Sequence, residues 1–270
     1  MTTLNGVALY HELHGSGDPL ALVHGSWGSH DEWEPVVPRL AQAFRVLVYD
    51  RRGHSRSERP DGQGSVREDV ADLAGLLEAT GFDRTWVVGN SFGASIALRL
   101  AAARPELVRG VIAHEPPLFL LLAHDPAYAA MLEETGRRIS DVVGRIAAGD
   151  HAGAAELFVE TVALGPGMWA QLDEATQGVL IENAPTFLDE TRDPEQLAMD
   201  AETMSRITQP VLVTTGGQSP PLFGPVVERL VAALPRAAFQ SFSDAGHLPH
   251  AMVPEAWCDS IVAFAGAQDG

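Results

Sequence analysis

The stretch Thr85-Trp86-Val87-Val88-Gly89-Asn90-Ser91-Phe92-Gly93 decides the fold. Its first half, Thr85–Gly89, is short, apolar and rich in valine, the composition of a buried strand. The residues after it, Ser91–Arg104, repeat apolar side chains at helical spacing, and Pro105 lies just past them as a stop. The join between strand and helix is Gly89-Asn90-Ser91-Phe92-Gly93, which leaves room only for a sharp turn. Such a turn forces its central residue into a strained conformation, and glycines on both sides remove side chains that would clash. Ser91 is then held at a helix N-terminus, where the dipole favours developing negative charge. A Gly-x-Ser-x-Gly turn also occurs in chains without chemistry, and the strand before and helix after give this one its meaning.

On either side of this turn, strand-like and helix-like segments alternate. Val7–His14, Leu20–His24, Arg45–Asp50, Arg109–His114, Pro210–Thr215 and Ala238–Ser241 read as strands. Glu68–Thr80, with Val70, Leu73, Ala74 and Leu77 on one face and Gly81 as its stop, reads as a helix, as do Pro225–Ala233 and Pro254–Ala265. This rhythm predicts an α/β fold with a mostly parallel sheet flanked by helices. One block breaks it. From Pro116 to Thr208 there is no convincing strand, only helical patterns such as Tyr128–Ala148, Ala152–Val162 and Met168–Ile181. The expected organisation is a core of residues 1–117 and 209–270 interrupted by a helical lid, residues 118–208.

The 270 residues carry 36 acidic and 18 basic side chains, a net charge of −18, and every basic one is arginine. Such a surface repels phosphate backbones and anionic lipid, which argues against nucleic-acid or membrane partners. No apolar run reaches the length of a transmembrane helix. Met1–Gly6 shows no basic segment leading into an apolar one, so no secretory signal is visible. The single cysteine, Cys258, excludes an internal disulfide framework and fits a reducing compartment. The expectation is a cytoplasmic chain, monomer or homodimer, acting on a small molecule.

A serine hydroxyl needs a base to become a nucleophile. His247, in Asp244-Ala245-Gly246-His247, follows the last strand and falls at the same sheet edge as Ser91. His250 is its rival. An orienting acid is expected after Pro210–Thr215, but Gly216-Gly217-Gln218-Ser219 offers no carboxylate. The preceding strand ends instead in Glu115-Pro116-Pro117, and Glu115 is the acid this spacing selects. Asp244 reads as a loop former, and Asp50, followed by Arg51 and Arg52, as a structural ion pair. The oxyanion needs two backbone donors. These are read as the amides of Phe92 and Ser26, the latter in His24-Gly25-Ser26-Trp27-Gly28. His24 reads as structural. Trp27 reads as substrate-binding, on the pocket floor or under the lid. Leu118–Leu122 would lead into the pocket, with Met168, Trp169 and Phe187 as candidate linings. His11 and His14 point to opposite faces of a strand, and no zinc motif is present, so neither a metal nor a cofactor is expected.

His24-Gly25, Tyr49–Ser57, Gly89–Gly93 and Gly246-His247 together resemble the landmarks of the α/β-hydrolase superfamily, in its order of nucleophile, acid and base, over nearly the whole chain. The resemblance implies an α/β-hydrolase fold with a helical cap and no cofactor. An acid after the family's sixth strand resembles a minority arrangement, seen in some haloalkane dehalogenases and in zearalenone-type lactonases, which carry a segment similar to His114-Glu115-Pro116-Pro117. Serine in place of aspartate as nucleophile argues against dehalogenase and epoxide hydrolase chemistry. The reading is a serine hydrolase of an apolar ester or lactone. Carbon–carbon bond hydrolysis, lyase or cofactor-free oxygenase chemistry, and a receptor with a vestigial triad are its rivals.

Overall fold

The computed structural model describes residues 1–268. Two short strands, β1 (Thr2–Leu4) and β2 (Val7–Leu9), form an antiparallel hairpin. The main sheet is built from β3 (His11–His14), β4 (Asp18–Val23), β5 (Phe44–Tyr49), β6 (Thr85–Asn90), β7 (Val108–His114), β8 (Val211–Gly216) and β9 (Ala237–Phe242). Its order is β3-β5-β4-β6-β7-β8-β9, and only β3 runs antiparallel to its neighbour. Val7–His14, expected as one strand, is two. The backbone of Tyr10 bonds Ser57 Oγ and the Asp50 amide, so the chain passes from the hairpin to the sheet at that residue.

Alternate residues of each central strand face opposite sides, as the pleat requires. Ala21, Val23, Val87, Val111, Ala113, Val211 and Val213 pack in one buried cluster with α2 (Val66–Thr80), α3 (Phe92–Ala103) and, from the C-terminal half, Val226, Val227 and Leu230 of the helix Phe223–Ala233. Leu20, Leu22, Trp86, Val88, Ile112 and Leu212 face the other side, where Leu40 of the short α1 (Val37–Leu40) and the final helix Pro254–Gly266 close the core through Trp257 and Ile261. A sheet buried on both faces explains the near-continuous apolar runs of its strands.

Between β7 and β8 the chain is helical: α4 (Ala129–Ala147), α5 (His151–Phe158), α6 (Glu174–Asn183), α7 (Thr186–Arg192) and α8 (Ala201–Ser205). After β8 come α9 (Phe223–Ala233), the single turn α10 (Pro249–Met252) and α11 (Pro254–Gly266). The stretch expected to run as a helix over Ala152–Val162 ends at Phe158 and passes into a π turn, Val159–Ala163. Met168–Ile181 is likewise broken. Asp173 accepts the Thr176 amide at 2.8 Å and so starts α6 afresh, leaving only a 3₁₀ turn, Trp169–Gln171, before it. Among the described residues no helix is long and apolar enough to cross a membrane.

Candidate active site

Register fixes what meets at the sheet edge. Asn90 pairs with His114, and His114 with Thr214, so β6 and β7 end level while β8 runs on two residues to Gly216. Ser91 and Glu115 therefore leave the sheet side by side, next to Thr215 and Gly216 at the end of β8. Ser91 has φ 54° and ψ −122°, outside the ordinary regions for an L-residue. A Cβ added at Gly93 would lie 2.1 Å from the Val23 carbonyl oxygen, and one at Gly89 2.4 Å from the Gly93 backbone. Only glycine fits at either position, which is the physical content of the motif. Strain of this kind persists where surrounding structure over-determines it, and it gathers at functional sites.

Glu115 is strained too, at φ 46°. This conformation turns its carboxyl along the sheet edge. Oε2 accepts a hydrogen bond from His247 Nδ1 at 2.7 Å, while Oε1 accepts from the Thr215 hydroxyl at 2.7 Å and the Gly216 amide at 2.8 Å. Both residues are buried. Burial opposes ionisation of Glu115, but the His247 hydrogen bond and charge outweigh it and hold the carboxyl at about 2. The strand after which an acid was first sought thus supports the acid from the strand beside it. Gly216 has no room for a side chain, since a Cβ there would lie 2.4 Å from the Gly246 carbonyl oxygen in the loop that carries His247. The His247 ring stacks on Phe223 with centroids 4.4 Å apart, and its donation through Nδ1 leaves Nε2 as the acceptor.

His114 extends the cluster. Its Nδ1 shares a hydrogen bond with the Thr214 hydroxyl at 2.9 Å, and its Nε2 lies 3.6 Å from Glu115 Oε2. Burial drives its acidity to about 4, so the ring stays neutral. His114, Glu115 and His247 offer ligand atoms within 4.8 Å of one another, a spacing that could also hold a metal ion. With the Glu115–His247 hydrogen bond formed, the same atoms make an acid–base pair. His250, the rival base, is buried between Trp33 and Trp257 and held by burial to about 3. Asp244 is exposed.

A cavity of about 580 Å³ opens over this edge, lined by Ser26, Ser91, His247 and a mostly apolar wall that includes Phe158, Val159, Leu164, Leu172, Val179 and Leu180. The Ser26 amide donates to no acceptor among the described residues, and Phe92, as first residue of α3, has none within its helix. The Phe92 side chain is buried beneath the Arg51 guanidinium, 4.6 Å from its ring centre, so only its backbone can serve the site. The Ser26 hydroxyl is taken by Glu190 Oε2 at 2.5 Å.

Several expectations are corrected. Trp27 is not a substrate-binding residue of this cavity. It is fully buried, stacked on Phe158 at 4.7 Å and tilted against Phe187 at 5.3 Å, because its own left-handed φ of 66° turns it into the core of the helical block. Phe187 is absorbed in the same contact, and neither Met168 nor Trp169 lines the cavity. Leu118, Phe119 and Leu122 are buried in the core beside Phe223 rather than leading into the cavity. Asp50 is a structural ion-pair residue as expected, but its partner is His30 rather than its neighbouring arginines. Its Oδ1 accepts from the His30 amide and imidazole, both at 2.7 Å, while Arg51 pairs with Asp69 and Glu190 and Arg52 with Asp72. His24 is structural, as expected, its ring spanning the Gly25 carbonyl and the Arg51 amide at 2.9 Å each.

The family profile described as alpha/beta hydrolase fold matches residues 18–251. Among curated proteins, a chain named provisionally as the carbamate hydrolase RutD of Azorhizobium caulinodans is 39% identical over 103 residues, 38% of this chain and 39% of that one. The 2-hydroxy-6-oxo-2,4-heptadienoate hydrolase of Pseudomonas putida is 39% identical over 105 residues, 36% of this chain and 37% of that one. The matched segment thus spans about two fifths of these relatives. Among solved structures, one titled as Est816, an N-acyl homoserine lactone degrading enzyme, superposes with a TM-score of 0.77 at 24% identity over 96% of this chain and 98% of that one.

Proposed function

The chain belongs to the α/β-hydrolase fold family, and from that premise we propose that it is a serine hydrolase of small, largely apolar carboxylic esters or lactones. The observation that carries this reading is the 2.7 Å hydrogen bond from His247 Nδ1 to Glu115 beneath a cavity that Ser91 also lines. Ser91 Oγ attacks the carbonyl carbon as its proton passes to His247 Nε2. Glu115 holds the imidazole in the tautomer that leaves Nε2 free and stabilises the imidazolium that forms. The Ser26 and Phe92 amides take the developing oxyanion. His247 then protonates the departing alkoxide, and water, with His247 again as base, releases the acid from the acyl-enzyme. Residues 118–208 act as the cap, and their apolar side chains suit an apolar acyl or alcohol group. The single buried cysteine accords with work in a reducing, cytoplasmic setting.

A carbon–carbon bond hydrolase could use the same three groups, and the relative from Pseudomonas putida is named for one. A dienoate carries a carboxylate, however, and among the described residues no arginine lines the cavity. The test is intact-protein mass after exposure to a fluorophosphonate. One adduct on the native chain and none on Ser91→Ala is the expected result. No adduct on the native chain, with hydrolysis of p-nitrophenyl butyrate also absent, would overturn the serine-hydrolase reading.

A further inference from the structure

The loop that carries His247 is held at the residue before it. Gly246 is clamped on one side by β8, where a Cβ on Gly216 would lie 2.4 Å from its carbonyl oxygen. Its own bare Cα faces Gln218, whose carbonyl oxygen lies 3.4 Å from the place a Cβ would take. On the other side its amide donates to Sδ of Met252, the last residue of α10, at 3.2 Å. A thioether sulfur is a weak acceptor, yet it is the one acceptor this amide has among the described residues. His247 follows directly, with the ring that stacks on Phe223 and bonds Glu115. Met252 is also open to solvent, 45% exposed. Its neighbours His250 and Ala251 line the cavity and it does not, so a substrate over Ser91 leaves the sulfur uncovered. The lone cysteine offers no comparable target: Cys258 is buried, and burial pushes its thiol up to about 11.

We propose that Met252 is an oxidation site that controls activity: peroxide converts its thioether to a sulfoxide, the Gly246 amide loses its latch, and the His247 ring leaves its working position against Glu115 and Ser91. The proposal goes beyond the serine-hydrolase reading and rests on it, since it needs His247 as the base. The chemistry balances between thioether and peroxide. The sulfur attacks one oxygen of hydrogen peroxide, a sulfur–oxygen bond forms as the oxygen–oxygen bond breaks, and water leaves. The sulfur is oxidised by two electrons and the peroxide is reduced by two. The product is polar and chiral, with one epimer for each sulfur lone pair. The Gly246 amide occupies one of these lone pairs. Oxygen added there is wedged between sulfur and amide and drives them apart. Oxygen added to the other, solvent-side lone pair draws electron density from the sulfur and weakens the bond it accepts. Either way the loop is released at Gly246. A displacement of about 1 Å in a catalytic group can cost about 10²-fold in rate. Methionine sulfoxide reductases return the thioether, which makes the change reversible.

The experiment exposes the native chain, Met252→Leu and Met252→Gln to the same series of hydrogen peroxide concentrations, each protein compared with its own untreated sample. Turnover of p-nitrophenyl butyrate gives kcat and KM, and peptide mass mapping follows the gain of one oxygen at Met252 and at the exposed Met131. In the native chain kcat is expected to fall at least about tenfold in step with oxidation of Met252, with KM little changed. Methionine sulfoxide reductases with a dithiol reductant should restore it. Both variants should keep their own kcat under the same treatment. Before treatment Met252→Gln, whose side-chain amide oxygen can accept from Gly246, should be more active than Met252→Leu, which offers no acceptor. An equal loss in the native chain and the variants, or a native chain that keeps its kcat with Met252 oxidised, overturns the proposal. So does a Met252 that stays reduced at a dose that oxidises Met131. Fluorophosphonate labelling of Ser91 before and after treatment separates the two readings. An untreated chain that labels, with labelling indifferent to oxidation of Met252, removes the role of Met252 alone, whereas an untreated chain that neither labels nor turns over the ester removes both.

Discussion

Glu115 concentrates at one residue what the site requires: a strained backbone, a buried charge and three hydrogen bonds that fix its two oxygens. Glu115→Gln keeps the shape and removes the charge that stabilises the His247 imidazolium. Its kcat is expected to fall by roughly 10³–10⁴, with fluorophosphonate labelling of Ser91 slowed in parallel. Normal labelling would send the search to another acid. The same residue sets a pH dependence of stability. Its folded acidity, about 2, lies below the ordinary carboxylate value of 4.5. The ionised form is therefore favoured by folding, and the contribution is present above about pH 4.5 and lost as pH falls toward 2. Denaturant melts of the native chain and Glu115→Gln should differ by a few kcal/mol at pH 6 and converge between pH 4.5 and 2. At this scale the sequence was legible where chemistry leaves a local mark. Gly89 and Gly93 pointed to Ser91, and the missing carboxylate after Thr215 pointed back to Glu115. Thr215, Gly216 and Phe223 left no such mark, because their roles exist only once separate strands and loops are side by side.

The elements around the site are joined by few residues. The helical block meets the Gly25–Gly28 loop through Asn183 at the end of α6, which donates to the carbonyls of Trp27 at 3.1 Å and Gly28 at 2.9 Å and accepts the Ser55 amide at 2.7 Å. Glu190 of α7 makes the second joint, bonding the Ser26 hydroxyl and the buried Arg51, which is itself paired with Asp69. Asn183→Ala would strand the Ser55 amide and two loop carbonyls, at a cost of about 1–3 kcal/mol for each buried group left without a partner. Because the loop carries the Ser26 amide, the variant should lose at least about tenfold in kcat while KM for p-nitrophenyl butyrate changes little. A folded Asn183→Ala protein with native kcat would show that the loop holds its shape without the block. Periodicity alone revealed the helical content of residues 118–208. It could not reveal these joints, whose partners lie 156 and 164 residues apart in the chain. Nor could it decide whether Trp27, Met168, Trp169 and Phe187 line the cavity or pack within the helical block, since an aromatic that fills a block's own core has the same local signature as one that lines a pocket.

Over the whole molecule the dominant feature is charge. A net charge of −18 surrounds a cavity whose wall holds Asp31, Glu34 and Asp173 and, among the described residues, no arginine. An anionic substrate approaches against a repulsive long-range field and then meets a wall with no cation to receive it; an uncharged ester meets neither barrier. These two contributions separate by their response to salt. The long-range part is screened as the Debye length shrinks from about 30 Å at 10 mM to about 3 Å at 1 M, whereas the short-range part, set inside the cavity, is screened far less. For a matched pair of p-nitrophenyl esters, one with a methyl-terminated acyl chain and one of equal length ending in a carboxylate, kcat/KM is expected to favour the neutral ester by at least about tenfold at low salt. The gap should narrow as salt rises and level off above unity, the residue measuring the cavity wall itself. Complete closure of the gap at high salt would place all of the discrimination in the surface field. A preference for the anionic ester at any salt would contradict the charge argument and favour carbon–carbon bond hydrolysis of a carboxylate-bearing substrate.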